Sequence, residues 1–363
     1  MINTCQENDF ATAPGETLLE TIDALGMNQV ELAQRTGLST KTINLIIKGS
    51  ERITQETALA LEKVLRVPAH FWLNLDSRYR EQLAREQDAL KMNQFSNWAR
   101  SFPYAEMARR DFVTPTKDAA DKAARLLSYF GVSHPDRWKS LYAEMDLELS
   151  YRKTPKASEK LPALSAWLRK GELLADSIET GVFDEVLFRA NLSEIREMTL
   201  LGPKEFAPRI RTLCAQAGVV YLLVPELAGL GISGVMRWYH GRPLIQQSLL
   251  FKSNDHFWFT FFHEAKHVLQ KRKKDIFLEG QNASHEDTSR EEEANRFAGE
   301  LLIPQSEWNR FAHETPVINS ASIRTFAKQI GIHPGVVVGR LMREAVLDYS
   351  HPAQRLRAKF VWA

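Results

Sequence analysis

Over residues 17–84 apolar side chains recur at helical spacing in short runs broken by Gly26, Gly37, Gly49 and Pro68, which predicts four or five short helices. Residues 85–217 keep the helical period, with charged faces and breaks at Pro103, Pro115, Gly131, Pro135, Pro162, Gly171, Gly181 and Pro203. No chemical motif stands out there. The pattern then changes. Residues 218–224 (GVVYLLV) and 244–251 (LIQQSLLF) are short, apolar and bounded by turn residues, so they read as strands, with Gly229, Gly231, Gly234 and Gly241 marking turns between them. Residues 255–270, 291–302 and 320–348 return to helical period. The expectation is a mainly α chain with a small β-sheet, divided into a head (1–84), a helical connector (85–217) and an α+β domain (218–363). No repeat of 20 to 50 residues is visible, which removes solenoid architectures.

Composition narrows the chemistry. A chain of 363 residues exceeds one ordinary domain, and 44% hydrophobic with 25% charged residues excludes a largely disordered or fibrous protein. No run approaches the roughly 18 apolar residues of a membrane span, and the first fifteen residues do not form a signal peptide, so a cytoplasmic location is expected. The only cysteines, Cys5 and Cys214, lie far apart, which argues against a disulfide scaffold or a thiolate zinc site. Any metal must therefore use histidines and carboxylates. A net charge of +2 means that DNA contact, if any, is local.

The stretch MNQVELAQRTGLSTKTINLIIKG, residues 27–49, reads as helix, tight turn, helix. Asn28 is placed to cap a helix turning Val30, Leu32 and Ala33 inward, Gly37 permits a left-handed turn, and Ser39 caps a second helix whose Ile43, Ile46 and Ile47 pack back. That second helix leaves Thr40, Lys41 and Asn44 on its outer face for base edges, with Gln29, Lys48 and Arg52 placed for phosphates. A plain helical bundle would show the same turn, and residues 1–80 hold 8 Lys or Arg against 10 Asp or Glu.

Residues 261–270, FFHEAKHVLQ, contain His263, Glu264 and His267. Positions i and i+4 share one helix face, so both imidazoles can hold one Zn²⁺ while Glu264 serves as general base. A third ligand is needed. Glu291 follows 24 residues after His267, in EEEANRFAGELLIP, and Asn295 stands one turn later, where it can hydrogen-bond a ligating histidine. Glu293 is the alternative ligand, and Asp275 and His285 are weaker ones. Tyr239, His240 and His256 are near in sequence, but none is assigned to an oxyanion. The helix-Gly-Pro-helix pattern of residues 323–343 is too apolar at Val336, Val337 and Val338 to read a groove.

The segments ELAQRTGLS, TINLIIKG, RITQETALALEKVL and PAHFWLNL, spanning 16–75, resemble the Xre-type, lambda-repressor-like helix-turn-helix of HigA antitoxins. FWFTFFHEAKHVL, EEEANRFAGELLIP and FAKQIGIHPGVVVGRLMRE resemble, in order and spacing, the ImmA/IrrE metallopeptidases over about 218–344. One departure is Lys266, where that family usually has Gly, which would put a long cation near the cleft. The two resemblances imply a DNA-binding regulator or antitoxin, acting as a homodimer on operator DNA, fused to a zincin-like zinc metallopeptidase domain that cleaves a protein partner. They leave open a HigA-like antitoxin whose metallopeptidase fold only binds a toxin, and a protease whose head docks onto another repressor.

Overall fold

In the computed structural model the described residues are 12–143, 157–270, 277–279, 288–315 and 317–362. Cys5, Asp275, His285 and the basic run 271–274 lie outside them. The chain forms two compact units, Met1–Phe95 and Ser96–Ala363.

The first unit holds α1 (Pro14–Ala24), α2 (Gln29–Thr36), α3 (Thr40–Ile47), α4 (Gln55–Leu65) and the long α5 (Ala69–Gln94). Local chemistry sets the boundaries. Asn28 Oδ1 accepts from Glu31 N at 2.9 Å, Ser39 Oγ accepts from Thr42 N at 3.0 Å, and Gly37 ends α2 at φ 75°, a conformation that costs glycine little. Leu18, Ile22, Leu32, Ile43, Ile46, Leu61 and Trp72 fill the core. Val30 departs from the sequence reading: it is 56% exposed. It lies two residues from Leu32, and residues spaced i, i+2 do not share a helix face.

The second unit opens with α6 (Ser96–Arg100), α7 (Tyr104–Arg109), α8 (Ala119–Phe130) and α9 (Pro135–Ala143). Trp98, Phe102, Phe130, Trp138 and Tyr142 bind these helices through a cluster of ring contacts, tightest between Trp98 and Phe102 at 5.1 Å. After α10 (Ala157–Ala175), α11 (Glu185–Glu197) and α12 (Pro203–Gln216) come β1 (Val220–Leu223), β2 (Gly234–Tyr239) and β3 (Arg242–Gln247). The site helix α13 (Asn254–Leu269) follows, then β4 (Phe277–Glu279), α14 (Thr288–Leu302), α15 (Gln305–Glu314), α16 (Ser320–Gln329) and α17 (Pro334–Arg343). The sheet order is β1-β3-β2-β4, with β1 parallel to β3 and the other pairs antiparallel. His240 and Gly241, both at positive φ, make the two-residue turn between β2 and β3.

The sequence pattern placed only turns where β2 lies. A charge explains this: Arg237 sits mid-strand at 3% exposure, its Nη1 2.6 Å from Glu172 of α10 and its Nη2 donating to Leu168 O. Burying that guanidinium needs a partner 65 residues away, which no local pattern shows. Gln246 Nε2 donates to Trp167 O, and Trp167 Nε1 to Val224 O, so α10 is fastened to the sheet. In α13, Phe257, Trp258, Phe261, Phe262, Ala265 and Val268 are all buried, as befits a helix at the centre of a core. Among the described residues no helix is long and apolar enough to cross a membrane.

Candidate metal centre and nucleic-acid interface

The i, i+4 spacing on α13 brings His263 and His267 together with their Nε2 atoms 3.0 Å apart. Glu291, in the first turn of α14, sets its carboxylate against both: Oε2 is 3.2 Å from His263 Nε2 and Oε1 3.3 Å from His267 Nε2. The three side chains are 2%, 1% and 18% exposed. Burial raises the Glu291 carboxyl, but the two imidazoles outweigh it and hold it at about 2, so this group is a carboxylate at neutral pH.

The outer nitrogens decide what the inner ones can do. His267 Nδ1 lies 2.9 Å from Gln270 Oε1, and that amide's orientation is set because its Nε2 donates to Glu293 Oε2 at 2.9 Å. His263 Nδ1 lies 3.1 Å from Asn295 Oδ1. A carbonyl oxygen only accepts, so Gln270 accepts from Nδ1–H of His267 as Asn295 does from Nδ1–H of His263, which leaves each Nε2 as the nitrogen that can face an ion. Two imidazole nitrogens and a carboxylate converging within 4.8 Å at a largely buried place are a donor set that fits one divalent cation with nitrogen and oxygen preference.

Glu264 is fully buried, and β2 reaches it closely: a Cβ on Gly234 would stand 2.8 Å from Glu264 Oε1 and 2.8 Å from Thr260 Cγ2. Glu293, the alternative ligand, lies elsewhere, 2.8 Å from Lys266 Nζ. Lys266, whose ammonium also lies over the Phe297 ring at 5.5 Å, is thereby drawn to α14. Arg196 Nη2 and Nε donate to carbonyls at the end of α14, which steadies the helix carrying Glu291 and Asn295. Tyr239 donates to Asp176 Oδ1, and His256 stacks on Phe251. Sequence reasoning missed Gln270; its only advance signal was its position three residues after His267.

In the first unit, α2 and α3 form the helix-turn-helix. Thr40, Lys41, Lys48 and Arg52 are exposed, and Gln29 and Asn44 half-buried. Ser39 caps α3 at the end that carries Thr40 and Lys41.

Comparison with known proteins finds a family model over each of the two regions. Residues 18–72 match the helix-turn-helix family model and residues 235–342 the IrrE N-terminal-like domain of the M78 peptidases. The latter span runs from β2 almost to the end of α17, so it encloses His263, His267 and Glu291. By its first unit the chain belongs to the helix-turn-helix family, and this is fused to an M78 domain. An uncharacterized HTH-type transcriptional regulator of Haemophilus influenzae is 32% identical over 100 residues, covering 24% of this chain and 94% of that protein. Virulence-associated protein I of Dichelobacter nodosus is 34% identical over 84 residues, covering 23% and 77%. A solved addiction module antidote protein of a HigA family from Coxiella burnetii is 32% identical, covers 23% of this chain and 92% of its own, and has a TM-score of 0.22.

Proposed function

We propose that this chain is a transcriptional regulator or antitoxin that binds operator DNA as a homodimer and carries a zinc metallopeptidase domain acting on a protein partner. The observation that carries the metal reading is the convergence of His263 Nε2, His267 Nε2 and the Glu291 carboxylate. These three would hold the ion, with Asn295 and Gln270 fixing the rings. When bound, zinc polarises a carbonyl and lowers the pKa of a water toward about 7. Glu264 is the chain's own acid–base group: it takes the proton of the attacking water and passes it to the leaving amine as the peptide bond breaks. The reading thus rests on one helix turn that carries Glu264 beside His263 and His267.

A second reading has its own support. Glu264 is fully buried against Gly234 and Thr260, an arrangement that suits a fold binding a toxin partner without cutting it. Glu264→Gln separates the two, because glutamine keeps the shape and cannot accept a proton. With the partner encoded beside it co-expressed, a working peptidase loses cleavage by at least roughly 10²-fold while zinc and operator binding persist. If the wild type leaves every such partner intact, and the Gln variant regulates and neutralises normally, the enzyme reading falls.

On the DNA side, Thr40, Lys41 and Asn44 are assigned to base edges and Gln29, Lys48 and Arg52 to phosphates. One such module offers little area, so two copies reading half-sites about one helical turn apart are required, and the operator is palindromic. A gel-shift titration over salt checks this: absence of sequence-specific, salt-dependent binding would favour docking onto another repressor.

A further inference from the structure

Gln270 caps the C-terminus of α13 and lies between the two helices that build the metal centre. Its Oε1 is 2.9 Å from His267 Nδ1, and its Nε2 donates to Glu293 Oε2 at 2.9 Å. Glu293 Oε1 in turn lies 2.8 Å from Lys266 Nζ. A chain of polar contacts therefore leaves α13 at Lys266, crosses to α14 at Glu293, and returns through Gln270 to a ligand ring. A terminal amide has two orientations. The other one would aim the Gln270 oxygen at the Glu293 carboxylate, acceptor against acceptor, and its NH₂ at a ring nitrogen that carries a proton. Glu293 selects the orientation, and Lys266 holds Glu293.

We propose that Gln270 is the positioning residue for His267, fixing its proton on Nδ1 and its Nε2 toward the ion, with Glu293 and Lys266 as the anchor that orients Gln270. It plays for His267 the part that Asn295 plays for His263. The proposal rests on the metal reading above. It also gives Lys266 a partner, Glu293.

The test is the Zn²⁺ affinity of the full-length protein, read by competition with a chromophoric chelator, together with the visible spectrum of the Co²⁺-substituted form. Gln270→Leu removes the acceptor and is expected to weaken zinc binding about 10- to 100-fold and shift the Co²⁺ spectrum. Glu293→Ala, which touches no ligand, is expected to cause a smaller loss of the same kind. The exchange Gln270→Glu with Glu293→Gln restores an acceptor for His267, a donor between the two side chains and an oxygen for Lys266, so wild-type affinity returns. Wild-type affinity in Gln270→Leu overturns the proposal and leaves the metal site standing. Weak binding in the exchanged pair also overturns it, because packing rather than the hydrogen bond then governs. A wild type that binds no zinc removes the metal reading itself.

Discussion

Gly234→Ala tests the closeness of β2 to Glu264. The new methyl would stand 2.8 Å from Glu264 Oε1, 2.8 Å from Thr260 Cγ2 and 3.0 Å from Glu264 Cγ, all far inside ordinary contact. Carboxylate ends usually swing away cheaply, but Glu264 is 0% exposed and Thr260 3%, and a β-branched threonine on a helix has few rotamers to try. The strand is pinned as well, since Gly234 pairs with Gln247 on one side and Glu279 on the other. The cost should match overpacking of a tight core, about 1–3 kcal/mol. That lowers Tm by roughly 2–4 °C per kcal/mol in a unit of 150–250 residues, and somewhat less in a longer one. Urea denaturation of the purified full chain measures the loss directly, and metal analysis should show zinc retained, because no ligand moves. Thr260→Ser deletes one of the clashing atoms, so the double variant should recover part of the loss, a positive coupling in a double-mutant cycle. A Gly234→Ala protein as stable as wild type, with no coupling to Thr260→Ser, would refute the reasoning.

Two further outcomes follow from the structure. Arg237→Met strips Glu172 of its buried partner but leaves Arg169 Nη1 at 2.9 Å, so the loss should fall near the lower end of a broken buried pair, about 3 kcal/mol by urea denaturation, and a change under 1 kcal/mol would contradict it. Asn44→Ala should relax base preference on the operator, whereas Lys48→Ala should weaken specific and random DNA alike and lower the salt slope by about one, with equal losses for Asn44→Ala on both DNAs counting against its role.

Much of this was legible in the sequence where the chemistry is local. Asn28, Gly37 and Ser39 announce a helix-turn-helix because capping and left-handed turns are decided within three residues. His263 and His267 announce a candidate metal site because one helix turn fixes their relation. Glu291 was reachable through Asn295, which the same periodicity carries to His263. Strand β2 was hidden by Arg237, whose burial depends on Glu172 of α10. Gln270 was hidden because its meaning arises only once Glu293 of another helix fixes its amide. Lys266 was read as a cation near the cleft, and sequence could not show that Glu293 and Phe297 engage it.

His263, His267 and Glu291 are proposed to hold one metal ion. The most direct measurement is metal content per chain by mass spectrometry, on wild type and on the His263→Ala, His267→Ala double variant purified side by side. About one Zn²⁺ per wild-type chain is expected, with loss of most of it in the double variant, because a single carboxylate cannot define a tetrahedral site. Stoichiometric zinc in the double variant would contradict it.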